Sequence, residues 1–453
     1  MKSVLPLRTI LFILGQHTLG MLGLSCYILA DTFFVANRLG ADGLAALNLA
    51  IPLYSLINGV GLMIGIGSAT RYAVRRAAGA AEEGNQAFTG SLLLGGGAGL
   101  LFLLAGVFLA ETLGRLMGAD DITLDMTAVY LRTIFCFAPC FLLNNILLVF
   151  IRNDGGPRLA MTAMLTGSLS NVLLDYLFLY PLDWGMFGAA FATGLAPVIS
   201  LLILSSWIWR RKNGFRLCRY RLRFRAAIAL CGPGTAAFIT EVSAGVVLVL
   251  INTILLQLEG NRGVAAYGIV ANLALVALAL MGGISQGMQP LVSVAYGRGC
   301  LKEARRILRC ALLTALLTAA VLYAVILLWA EPLAALFNRD GDPVLAAMAW
   351  RGMRVYFAGF VGAGITMTIS AYYSAAGRPR SGFFLSFLRG CLAVVPAVWL
   401  LSNWLGLTGV WLAVPAAESL SALAAGICLR RRGGKKPDPA RDSGSVKDYS
   451  QIG

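Results

Sequence analysis

Residues Met21–Arg38 read MLGLSCYILADTFFVANR, an apolar run broken by one acid, Asp31, with no Lys or Arg within six residues on either side of it. Such a run belongs in a lipid bilayer or a buried core. A carboxylate at membrane depth costs a few kcal/mol or more, so it tends to mark an ion or substrate path. Composition decides for the bilayer. Of the 453 residues, 58% are hydrophobic and only 13% charged, where a soluble domain carries about a quarter charged residues. The chain is expected to be an all-α integral membrane protein.

Stretches long enough to cross a bilayer can be placed twelve times, near 9–36, 45–72, 88–110, 127–151, 159–181, 187–209, 229–257, 264–290, 308–330, 352–376, 383–403 and 408–429. The first is long and lacks a small-residue cleavage pattern, so it reads as a span rather than a removable signal. The connections alternate in charge. Those after the second, fourth, sixth, eighth and tenth spans carry Arg71, Arg75 and Arg76; Arg152 and Arg158; Arg210 through Arg225; Arg298 through Arg309; and Arg378, Arg380 and Arg389. With the two ends of the chain they hold 30 of the 37 Lys and Arg. The opposite connections hold acids such as Asp42, Asp120, Asp121, Asp183, Glu259, Asp340 and Asp342. Positive charge collects on the cytoplasmic side, which places both termini there. The net charge of +16 is therefore topological and does not point to nucleic acid. One His and nine Cys without CxxC or Cys/His clustering leave no metal site or disulfide framework in view.

The basic connection Arg210–Arg225 (RRKNGFRLCRYRLRFR) divides the chain into an N-terminal unit, 1–215, and a C-terminal unit, 216–432. Its reading is a topogenic loop against anionic headgroups. The stretch 433–453 is polar and Gly/Pro-rich and reads as a disordered cytoplasmic tail. The two units look like copies. An offset of 220 aligns Gly40, Gly43, Ala45, Ala46, Gly67, Gly79 and Glu83 with Gly260, Gly263, Ala265, Ala266, Gly287, Gly299 and Glu303. Gly155, Pro157 and Arg158 align with Gly377, Pro379 and Arg380 at 222, and Gly188, Ala192 and Ser200 with Gly409, Ala413 and Ser421 at 221. A duplicated six-span unit predicts twelve transmembrane helices in two pseudo-symmetric six-helix bundles, with substrate at the interface and one half rocking against the other.

Helix rise places the polar residues. Asp175 lies about 25 Å up a fifth span that begins at Arg158, at 1.5 Å per residue, and Asn171 is one turn below it on the same face. Ala189 and Thr193 fall in the outer half of the sixth span, and Asp31 in the outer half of the first. Two carboxylates, an amide, a hydroxyl and a backbone carbonyl thus arrive at similar depth; hard cations take such oxygen ligands, and paired carboxylates also suit a proton relay. The corresponding residues of the second half, Ile251 and Ala397, are not acidic. Glu241 lies near the middle of the seventh span, as a counter-charge for a cationic substrate or a protonation site. Gln286 and Gln289 can line a cavity, with Pro290 ending or kinking that span. Tyr54, Met281, Met288, Phe33 and Phe34 can offer an adaptable apolar surface. His17 reads as a hydrogen-bonded span residue and Asn153–Pro157 as a turn. The sequence names no partner for Glu418. No HExxH, nucleophile elbow or phosphate-binding Gly loop occurs, so no enzyme is expected.

With these residues placed, the chain resembles the multidrug and toxic compound extrusion (MATE) family of bacterial type, over roughly Arg8 to Leu429. The resemblance rests on Asp31–Ala36 (DTFFVA) through Gly40, on Gln286–Gly299 (QGMQPLVSVAYGRG) and on Asn171–Asp175 (NVLLD). It implies two V-shaped lobes and export of organic cations and amphipathic compounds by Na⁺ or H⁺ antiport, with no other cofactor. The family's acid in helix 1 falls on Asp31, its amide and acid in helix 5 on Asn171 and Asp175, and its carbonyl and hydroxyl in helix 6 on Ala189 and Thr193. The helix 7 glutamate of some members matches Glu241. Those members also carry an acid in helix 10, and the tenth span here (FAGFVGAGITMTISAYYSAAG) has none, which places coupling in the N-terminal half. The expected protein is a monomeric, multi-pass exporter of small organic molecules in a plasma membrane of the bacterial inner-membrane kind. The alternatives are a flippase for lipid-linked saccharides, which would need several cavity cations, or an exporter of one metabolite.

Overall fold

The computed structural model describes residues 6–121, 123–337 and 342–432. The stretch 433–453, expected as a disordered tail, and Asp340 lie outside the described residues. Among the described residues there are helices and turns and no strand, as a lipid-facing backbone requires, since it must satisfy its own hydrogen bonds. The spans are α1 (Leu7–Gly40), α2 (Asp42–Ala77), α3 (Ala81–Leu116), α4 (Leu124–Cys136 with Ala138–Asn153), α5 (Pro157–Leu179), α6 (Gly185–Trp209), α7 (Phe224–Gly260), α8 (Arg262–Gly297), α9 (Leu301–Ala335), α10 (Pro343–Ala375), α11 (Pro379–Leu405) and α12 (Leu407–Arg430). Each of the twelve expected spans has its helix.

The duplication is written into the backbone. Left-handed φ values recur at Gly40 and Gly260, Gly79 and Gly299, Gly155 and Gly377, and Gly185 and Gly406, pairs separated by the same 220 to 222 residues as the sequence matches. Gly40 (φ 69°, ψ −157°) and Gly260 (φ 62°, ψ −151°) occupy a region essentially closed to residues with a Cβ. They let α1 turn into α2, and α7 into α8, without a loop. α4 bends by 48° just before Pro139, whose ring removes a donor and crowds the preceding turn. The matching place in α10 holds a 3₁₀ turn, Phe357–Gly359.

The two lobes exchange their first turns. Ile10 and Leu14 of α1 are buried in the C-terminal core, and Leu230 of α7 in the N-terminal core. Between lobes the backbones nearly touch. A Cβ on Gly67 would meet the Leu230 carbonyl, on Gly234 the Met63 carbonyl, on Gly283 the Thr18 backbone and on Gly297 the Val74 carbonyl. Lipid tails offer no hydrophobic drive for helix association, so close approach through small residues supplies it. All four contacts lie toward the basic connections. Toward the other ends, Gly40, Gly260 and Gly268 face open space, and Gly43 and Gly263 meet only their own lobe. The lobes are sealed on the basic side.

The central connection is more firmly held than a topogenic loop needs to be. Phe215, 1% exposed, packs among Phe88, Phe150 and Tyr72 at ring-centroid distances of 4.4, 5.8 and 6.1 Å. The turn after α4 is also more than a turn. Asp154 accepts from Tyr72 Oη at 2.5 Å, Arg76 Nη1 at 2.7 Å, Trp207 Nε1 at 3.1 Å and the Gly214 N–H at 2.7 Å, joining α2, α4 and α6 to the central connection. One displacement from the expected topology concerns Arg389. It lies in α11, in a π-helical turn Leu388–Leu392, and not in the basic connection before it.

Two outcomes follow for stability, both read as thermal unfolding of purified protein. Gly40→Ala, which meets no neighbour, is expected to cost about 1–3 kcal/mol through backbone strain alone, and Gly260→Ala the same. Asp154→Ala strands the Tyr72, Trp207 and Gly214 donors while the half-exposed Arg76 turns to water, and is expected to cost about 1–3 kcal/mol.

Candidate functional site

α1, α5 and α6 bring the sequence-predicted oxygen ligands together inside the N-terminal lobe. Asp31 is 6% exposed, Thr193 4%, and Asn171, Asp175 and Ala189 are fully buried. The Asp31 and Asp175 carboxylates are in electrostatic contact. With its amide turned to satisfy both ends, Asn171 donates to Asp175 Oδ2 at 3.1 Å and accepts from the Thr193 N–H at 3.2 Å. One oxygen of each acid, Asp31 Oδ1 and Asp175 Oδ1, is buried without a hydrogen-bond partner. Buried polar atoms are almost always paired. Two orphaned carboxylate oxygens within electrostatic reach of each other can take up a proton or help to hold a hard cation. No group of three His, Cys, Asp or Glu converges among the described residues, so these two acids are complemented by neutral oxygens.

Tyrosines wall this cluster, and the sequence reading passed over two of them. Tyr130 of α4 is buried and in electrostatic reach of both acids. Tyr27 is in reach of Asp31 and shares a hydrogen bond of 3.0 Å with Tyr54 Oη. Tyr27 precedes Asp31 by one helical turn, a spacing that signals a shared face. Tyr130 stands in an apolar stretch with no such signal.

On the other side of Tyr27 and Tyr54 is the inter-lobe cleft, a cavity of about 80 Å³. Its polar lining includes Tyr54, Asn58, Asn145, Arg152, Glu241 and Gln286. Asn145 Nδ2 donates to Asn58 Oδ1 at 2.9 Å, and Asn58 Nδ2 to Glu241 Oε2 at 3.2 Å, so Glu241 of α7 is held by one amide of the opposite lobe, itself steadied by a second. Amides in apolar spans are costly, and the runs around Asn58 and Asn145 carried that signal unread. Tyr54, Glu241 and Gln286 thus line the cleft as expected residues. Met281 and Met288 do not, being fully buried in the C-terminal core, and Gln289 is buried outside the cleft lining. Phe33 is exposed, and Phe34 packs on Tyr176 and Tyr180. His17 is buried but its Nε2 has no partner, unlike the hydrogen-bonded residue expected. Glu418 finds Arg389 Nε at 2.7 Å, an ion pair inside the C-terminal lobe.

The MatE family model matches residues 18–177 and 235–399, once in each lobe. The chain belongs to the MatE family. The multidrug export protein MepA of Staphylococcus saprophyticus is 25% identical over 403 residues, 88% of each chain. MepA of Staphylococcus aureus is 25% identical over 407 residues, again 88% of each. Among solved structures, an outward-facing multidrug resistance MATE family transporter superposes with a TM-score of 0.89 at 23% identity, covering 95% of this chain and 98% of that one. A MOP superfamily transporter from Pyrococcus furiosus gives 0.88 at 23%, covering 94% and 96%. The fold is therefore the twelve-helix MATE fold, and the chain is a multi-pass membrane protein of a multidrug-efflux transporter family.

The Arg389–Glu418 pair of this MatE chain allows a clean energetic test. Either single removal, Arg389→Met or Glu418→Leu, leaves a buried charge alone and is expected to cost about 3–5 kcal/mol, whereas the double variant recovers most of that loss. A double-mutant cycle on unfolding midpoints measures it.

Proposed function

We propose that this protein is a cation-coupled antiporter that exports cationic or amphipathic organic compounds across a plasma membrane, with both termini cytoplasmic. The observation that carries the reading is the pair of buried carboxylates at Asp31 and Asp175, in electrostatic reach of each other and each with a buried oxygen that has no partner. Asn171, Thr193 and the Ala189 carbonyl complete an oxygen shell suited to Na⁺, and the same two acids without the ion suit a proton. The Thr193 N–H is the group an α-helix would pair with the Ala189 carbonyl. Sharing it with Asn171 weakens its hold on that carbonyl, whose second lone pair can face a cation.

Cargo occupies the inter-lobe cleft, where Glu241 supplies the negative charge. The basic connections belong on the cytoplasmic side, and the lobes are sealed there, so this arrangement is the outward-facing one. In that state a cation from outside reaches Asp31 and Asp175. Tyr27 and Tyr54 connect the cation site to the cleft through their shared hydrogen bond, so filling the one alters the walls of the other. A cation drives export only as far as it binds the cargo-releasing state more tightly than the other. Moving a population from 1:99 to 99:1 takes about 5.5 kcal/mol of differential affinity, and each elementary charge crossing about 100 mV contributes ~2.3 kcal/mol of it. A flippase for lipid-linked saccharides fits less well, because the cleft lining carries a single cation, Arg152.

Dye efflux from everted vesicles, with an imposed Na⁺ gradient or an imposed pH gradient, tests the proposal. Gradient-driven movement is expected in the wild type and a loss of about tenfold or more in Asp31→Asn at equal membrane expression. Undiminished efflux by the variant sinks the assignment, and the gradient that works names the ion.

A further inference from the structure

Arg152 is the penultimate residue of α4 and reads, by sequence, as one more cytoplasmic charge. Its environment is of another kind. A topogenic arginine reaches headgroups, but Arg152 is 7% exposed and lines the cleft shared with Glu241. The other deeply placed arginine is neutralised, Arg389 by Glu418. Arg152 has no carboxylate partner among the described residues. Its hydrogen bonds go to one amide oxygen, Gln286 Oε1 at 3.0 Å from Nη1, and to one thioether, Met164 Sδ at 2.7 Å from Nη2.

Leaving a buried guanidinium without an anion costs several kcal/mol, and the fold does not demand it. The repeat offset of 222 puts Ser374 at the corresponding place in the second lobe. Other unmet polar atoms surround the same region. Ser200 Oγ and Asn144 Oδ1, both on the cleft lining, are buried without partners, and His17, whose Nε2 is also buried without a partner, lies within electrostatic reach of Arg152.

We propose that Arg152 is an anion subsite of the cleft, so that the cargo carries a carboxylate as well as the cationic group that faces Glu241. This rests on the reading of the cleft as the cargo site and adds the class of cargo to it. A guanidinium takes a carboxylate through two parallel N–H···O bonds, where Gln286 offers a single oxygen. The cargo carboxylate therefore displaces Gln286, which belongs to α8 of the opposite lobe. Binding exchanges a bond between lobes for a bond to cargo, on the sealed side of the molecule.

The test compares rhodamine B, a cation with a free carboxylate, with its ethyl ester, the same cation without one, by fluorescence polarisation on purified protein at neutral pH. The wild type is expected to bind the acid about tenfold tighter than the ester. In Arg152→Gln that ratio falls to about one, while Arg152→Lys, a point charge without the fork, keeps an intermediate ratio. Glu241→Gln weakens both dyes and leaves the ratio in place. Equal binding of acid and ester by the wild type, a measurement that needs no variant, overturns the subsite while leaving the cargo cleft standing. A ratio that survives Arg152→Gln overturns it too. Binding of neither dye removes the cleft reading and the subsite together.

Discussion

A charge inside a bilayer cannot be hydrated, so the protein must answer it with a counter-charge, with donors, or with something it binds. That constraint organises this molecule. Asp154 is answered by four donors drawn from α2, α6 and the central connection, and there the answer is architectural. Glu418 is answered by Arg389, which settles the interior of the C-terminal lobe. Glu241 is partly answered, by one amide of the facing lobe. Asp31, Asp175 and Arg152 are left short, and those three mark the places where an ion or a ligand has something to gain.

The backbone and the chemistry of the two lobes follow different rules. Backbone geometry repeats closely, down to left-handed glycines 220 to 222 residues apart, because both copies fold under the same demand for continuous helices and tight reversals. The buried chemistry does not repeat. Ile251 and Ala397 stand where Asp31 and Asp175 stand, and the C-terminal lobe instead neutralises its own acid. Duplication supplied a scaffold with two equal halves, and of the two places only the one in the N-terminal half carries the acids.

Coupling between the buried acids and the cleft has a short physical route. Tyr27 and Tyr54, joined hydroxyl to hydroxyl, separate the two spaces, and both are in electrostatic reach of Asp31. Tyr54 is also in reach of Glu241. The paired acids and the cleft are therefore next-door neighbours sharing a wall, and no long chain of intermediates separates them. Arg152 and Gln286 close the same cleft at its sealed end across the lobe boundary.

How much of this was legible beforehand depends on the range of the interaction. Span number, charge alternation, the duplication and the depth of Asp31, Asn171, Asp175 and Thr193 are local or periodic properties. Hydropathy, helix rise and a constant offset carry them in one dimension. Partners are another matter. The amide chain Asn145–Asn58–Glu241, the Arg389–Glu418 pair and the cleft position of Arg152 join residues 29 to 183 positions apart, and no period in the sequence encodes such contacts. Arg152 and Arg389 looked like membrane-edge charges because a sequence shows which span a residue ends, not which way its side chain turns. Met281 and Met288 had the composition of a drug-binding surface, yet helix rotation turned them into the core. The sequence alone determined how many times this chain crosses the membrane and where its acids lie; only packing decided which charges were neutralised and which were left open to bind.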